Sequence, residues 1–181
     1  MNFRFNVHLT QQDYLEFNKI VMFETQSGKK ILKNGRILFA VFFAIAAFFV
    51  MIYYKFSPAS FIGVFILLVL YGLSFFIEKP LMNLSIKATV KALTDSNTKK
   101  PPYSEDSVME FYDDFFTDTS ADGKHEVNYS SVEDVCINEK FIILFVNKTL
   151  AYPIPASAFE SPEQRVQFVN FIKIKCQNIV F

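Results

Sequence analysis

The chain has 181 residues, 18 basic and 18 acidic, and a formal net charge of zero, which excludes a general electrostatic attraction to nucleic acid. Phenylalanine alone supplies 23 residues, and the mean hydropathy of +0.24 is high for a soluble chain. Lys55 is the one charged residue between Phe39 and Ile77, so charge is segregated away from one long stretch.

Residues 3–9 alternate apolar and polar, which puts Phe3, Phe5, Val7 and Leu9 on one face of a strand. Thr10-Gln11-Gln12-Asp13 then has the form of a capping box with aspartate in the third place. Tyr14, Phe17 and Val21 follow at helical spacing, predicting an amphipathic helix over about 11–26. Gly28-Lys29-Lys30 predicts a break or bend.

Two apolar runs come next, Ile37–Tyr54 and Phe61–Ile77, neither with a charged residue. As helices they measure about 27 and 25 Å, close to the roughly 30 Å of a bilayer core. Apolar side chains on every side leave neither helix a polar face for water, so the pair is expected to span a membrane as a hairpin. Lys29, Lys30, Lys33 and Arg36 precede the first run, and Lys79, Lys87 and Lys91 follow the second. The positive-inside rule places both flanks in the cytoplasm and the short 55–60 turn outside. Six of these cations (Lys29, Lys30, Lys33, Arg36, Lys79 and Lys87) are candidate contacts for anionic lipid headgroups. Gly63 and Gly72 are candidate points of close approach between the helices, and the hairpin offers a surface for oligomerisation.

The helical pattern continues past Leu81 as a stalk, and 95–102 (Asp-Ser-Asn-Thr-Lys-Lys-Pro-Pro) has linker composition. After Tyr103 the period changes to two. Strands are predicted at 108–112, 115–119, 126–129, 132–137, 141–146 and 150–154, with Asp122-Gly123 as a hairpin pair. Ser161-Pro162-Glu163-Gln164 is a helix start, and Phe168, Phe171, Ile172, Cys176 and Ile179 form the stripe of a closing amphipathic helix. The expected fold is an α+β membrane protein: a transmembrane hairpin plus a cytoplasmic PH-like antiparallel β domain closed by a C-terminal helix. Its expected segments are 1–36 (strand and helix), 37–78 (hairpin), 79–102 (stalk and linker) and 103–181 (β domain). With both chain ends on one side, Phe3–Leu9 is expected to add a strand to the C-terminal sheet.

No pattern of catalytic, cofactor-binding or metal-ligating residues stands out. His8 and His125 are far apart in sequence, and Asp113, Asp114, Asp118 and Asp122 lack the glycine and alternation of a calcium loop, reading instead as solvated strand ends. Cys136 and Cys176 fit no metal spacing and read as reduced core thiols.

The layout, the opening Leu9-Thr10-Gln11-Gln12-Asp13-Tyr14 and the run Ile154-Pro155-Ala156-Ser157-Ala158-Phe159-Glu160-Ser161-Pro162-Glu163-Gln164 resemble the YcxB-like family of bacterial membrane proteins. Tyr129 stands where such proteins often have tryptophan, and Ala156 where a basic residue often follows Ile-Pro. The resemblance implies a multi-pass protein of the bacterial cytoplasmic membrane with both termini inside. The expected function is that of a non-catalytic, membrane-anchored binding or scaffold module for an unidentified protein or peptide. An anionic-lipid sensor and an accessory subunit of a transport or secretion assembly are the alternatives.

Overall fold

The computed structural model of the chain describes residues 1–94, 103–147, 150–176 and 179–180. Two compact units result, one of Lys19–Thr89 and one of Met1–Asn18 with Val90–Phe181. The expected linker 95–102 lies outside the described residues.

Helix α1 (Gln11–Phe23) opens on a reciprocal capping box. Thr10 Oγ1 accepts from the Asp13 amide at 3.1 Å, and Asp13 Oδ2 accepts from the Thr10 amide at 3.0 Å. The helix stops before 26, because Thr25 caps the next one, α2 (Gln26–Tyr53). Its hydroxyl accepts from the Gly28 amide at 3.0 Å and donates to the Val21 carbonyl at 2.6 Å. The bend thus falls at 24–25, ahead of the expected Gly28-Lys29-Lys30. Gly28 instead provides clearance. A Cβ there would overlap the Val21 and Met22 carbonyls, so only glycine lets the first turn of α2 pass the last turn of α1.

α2 and α3 (Pro58–Thr94) have 28 and 37 residues and contain both expected apolar runs. At about 1.5 Å per residue they are roughly 42 and 56 Å long, enough to cross a bilayer core and continue beyond it. They run antiparallel. Arg36 Nε meets Glu78 Oε2 at 2.7 Å, Phe43 and Tyr71 rings lie 5.5 Å apart, and a Cβ on Gly63 would come to 2.9 Å from Val50 Cγ1. Gly63 is therefore a close approach as expected. Gly72 is not, since a Cβ there would meet nothing within 4 Å. The turn puts Lys55 and Phe56 at φ 48° and 56°, the left-handed region, before Pro58 starts α3. The most apolar windows of the two helices are 0% and 6% buried, so the described residues leave their hydrophobic surface uncovered.

In the other unit, strands β1 (Phe3–His8), β2 (Asp106–Phe111), β3 (Phe115–Ser120) and β4 (Gly123–Asn128) form an antiparallel sheet in that order. β5 (Asp134–Ile137), β6 (Phe141–Phe145), β7 (Ala151–Pro155) and β8 (Ile179–Val180) form a second, ordered β7-β6-β5-β8. β1 pairs with β2 in the register Phe3–Phe111, Phe5–Met109, Val7–Ser107. The N-terminal strand thus joins the C-terminal chain, and the unit takes in residues 1–18 and starts again at Val90, ahead of the expected 103–181 segment.

The inward faces bury Phe5 and Phe111 against Phe168 of α4 (Pro162–Lys175), with Phe116 buried beside Phe111 at 5.3 Å. Phe168 lies 4.8 Å from the Phe5 ring and 4.7 Å from that of Phe111, both edge-on. α4 begins as expected: Ser161 Oγ accepts from the Gln164 amide at 3.2 Å, Gln164 Oε1 accepts from the Glu160 amide at 2.7 Å, and Pro162 sits at the first helical position. Its end is different. Cys176 takes extended backbone, and Ile179 lies in β8, paired parallel to β5, instead of on the helix stripe. Tyr129, expected in a strand, sits in a 3-10 turn after β4, where its hydroxyl donates to the Tyr112 carbonyl at 3.0 Å.

Candidate binding cleft

Strand periodicity fixes which side chains can form a site. Phe116, Asp118 and Ser120 share the inward face of β3. The register sets Phe111, Met109 and Ser107 beside them on β2, and Val127, His125 and Gly123 on β4. Along this face the chemistry changes from the buried rings of Phe111 and Phe116 to serine, aspartate and histidine. The polar end stays open. It forms a cleft of about 400 Å³ bounded also by β7, by Asp13, Tyr14 and Phe17 of α1, and by Tyr103.

Asp118 is on the floor of that cleft, which corrects its reading as a solvated strand end. Burial pushes its carboxyl above the usual carboxylate range, while a hydrogen bond with Ser107 and the nearby His125 act in the opposite direction. One of its oxygens, Oδ1, is buried and has no hydrogen-bond partner among the described residues. Beside it stands Tyr152 of β7, 8% exposed, with its ring edge-on to Phe116 at 5.2 Å. Burial, and then the Asp118 charge, raise the Tyr152 phenol. The Tyr152 hydroxyl makes no hydrogen bond among the described residues.

The wall is aromatic. Tyr14 and Tyr103 stack with centroids 4.7 Å apart, and Phe17 lies 6.2 Å from Tyr14. α1 is held in place to form this wall: Glu16 Oε2 meets Lys140 Nζ at 2.8 Å, and Gln11 donates to the Thr94 hydroxyl. The other two acids at the cleft already have partners, Asp13 in the helix cap and Asp122 with Ser104 at 3.5 Å. Among the described residues no lysine or arginine lines the cleft.

The six cations expected at lipid headgroups lie in the helical unit. Lys29, Lys30 and Lys33 are exposed on the first turns of α2, and Lys79 and Lys87 on α3. Arg36 is also exposed but is tied to Glu78 and lies over the Phe75 ring at 5.7 Å. Among the described residues no group of three or more His, Cys, Asp or Glu is placed to hold a metal. Cys136 and Cys176 are buried thiols not joined in a disulfide, and burial pushes the Cys176 thiol up to about 11.

The family model described as YcxB-like protein matches residues 111–172, from the end of β2 into α4. The C-terminal region is therefore similar to the YcxB-like family over that stretch. No curated protein and no solved structure matches the chain. The YcxB-like stretch carries the cleft's floor residues Asp118, His125 and Tyr152, while the walls from β1, α1 and Tyr103 come from outside it. Sequence reasoning grouped Asp118 with its acidic neighbours by charge. The signal that separates it is its spacing of two from the core residue Phe116.

Proposed function

We propose that this protein is a membrane-anchored, non-catalytic binding module at the cytoplasmic face of a bacterial membrane. Its α2–α3 hairpin is the multi-pass anchor, both termini lie inside, and its two sheets with α4 form a PH-like domain. The uncovered apolar windows and the lysines at both outer ends of the hairpin support the anchor and its orientation. The observation that carries the binding reading is the cleft, whose floor holds a carboxylate oxygen with no hydrogen-bond partner among the described residues, and the phenol of Tyr152, between aromatic walls. A protein or peptide segment is the class of partner it suits.

A photo-crosslinking side chain at Leu150, on the rim, tests this in native membranes against one at Lys124, on the outward face of β4. The reading expects an adduct from Leu150 that Lys124 does not give. The same products from both positions, or none from Leu150, would count against it. The exposure of Lys29, Lys30, Lys33, Lys79 and Lys87 favours a second reading, sensing of anionic lipid. Under that reading, thermal stability of the full chain in nanodiscs rises with anionic lipid, and replacing Lys29, Lys30 and Lys33 by glutamine removes the rise.

A further inference from the structure

We propose that the cleft receives an alkylammonium group, with Asp118 as its counter-ion and Tyr152 as an acceptor beside it. This rests on reading the β unit as a binding module. A half-buried carboxylate that leaves one oxygen unbonded has given up hydration without a replacement partner, and a cation is the group that offsets this loss. Tyr152 is more than nine-tenths buried and lines the same cleft, and its hydroxyl makes no hydrogen bond among the described residues. Its oxygen can accept an ammonium N–H, and the stacked Tyr14–Tyr103 wall offers ring faces to the same charge. The sign of the ligand follows from the lining: its described residues include no lysine or arginine, and His125 is the one nitrogen base among them, whereas Asp118 offers a carboxylate oxygen that is unbonded among the described residues. Leu9 and Met109 supply apolar surface for the methylenes of the chain, and about 400 Å³ accommodates a short one. The ammonium can belong to a free amine or to a lysine side chain.

Calorimetry on the full chain in phosphatidylcholine nanodiscs separates these sources, with 1,5-diaminopentane and a lysine blocked at both backbone ends as the probes. The expected result is saturable binding of at least one of them, roughly tenfold or more tighter than 1,5-pentanediol, and no binding of glutarate. Preference between the two probes identifies the source, and either preference agrees with the proposal. Asp118→Asn, a near-isosteric change checked for folding by circular dichroism, is expected to weaken the bound probe roughly tenfold or more, and Tyr152→Phe to weaken it less. Equal affinity for the diol, or unchanged affinity in Asp118→Asn, would overturn the ammonium assignment while leaving the cleft as a site. Failure of every probe would also overturn it, and the Leu150 crosslink would still decide the binding-module reading separately.

Discussion

Asp118 shows how one side chain can be held at a cost to the fold. Its folded pKa is raised, so the unfolded chain ionises first as pH rises. The stability linked to it is complete below the ordinary value of 3.8 and is lost as pH climbs through the raised value. Asp118→Asn should abolish that loss. The group is partly exposed, so screening keeps the gain modest, about 1–3 °C in Tm at neutral pH. A melting series from pH 3 to 8 checks it, and a variant less stable than the parent at neutral pH would refute it. His8 has the opposite character. Asp106 Oδ1 lies 2.7 Å from its Nδ1, and the hydrogen bond, then the charge, raise its pKa above 6.5. Stability from this pair is present below 6.5 and fades as pH rises through the raised value, a small effect at an exposed site. NMR titration should give His8 a pKa above that value. Both effects depend on neighbours from distant chain positions, and charge grouping in the sequence does not reveal them.

At the scale of elements, local chemistry explains what was legible. Helix starts at Thr10 and Ser161, the alternation of 3–9 and the two apolar runs are signals within one turn or one face, and each gives the element expected. The α1–α2 bend depends on Thr25 capping back over Val21 and on Gly28 passing bare backbone, and a glycine followed by two lysines draws the eye to the wrong residue. β8 is two residues long and exists through pairing with β5, so nothing local announces it. Gly28→Ala should cost about 1–3 kcal/mol by forcing the corner apart, whereas Gly72→Ala, with open space around it, should cost little. Denaturant titration of the full chain in detergent separates the two. β1 is equally specific: Phe5→Ala should destabilise the β unit by about 3–5 kcal/mol, since its ring touches Phe111, Phe159 and Phe168. Phe48→Ala, 61% exposed on α2, is the control and should leave the β unit's melting unchanged.

For the whole molecule, the organising fact is that the two ends of the chain build one β unit although both long apolar helices lie between them. That arrangement requires an even number of crossings if the helices span a membrane, which puts both chain ends on one side of it. It was legible from the paired runs, the lysines beside them and the strand-like N-terminus taken together. The cleft was not, because its floor and its α1 wall come from opposite ends of the sequence. The most direct test is a cysteine pair across β1 and β2 in the full chain in nanodiscs. Asn6 and Val108 are register partners, off the inward face, and the native cysteines are buried. With Asn6→Cys and Val108→Cys, mild oxidation should give a rapid intramolecular crosslink, while Asn6→Cys with Thr119→Cys, one strand further away, should give little. A pair that stays reduced, or crosslinks only between molecules, would contradict the composite unit.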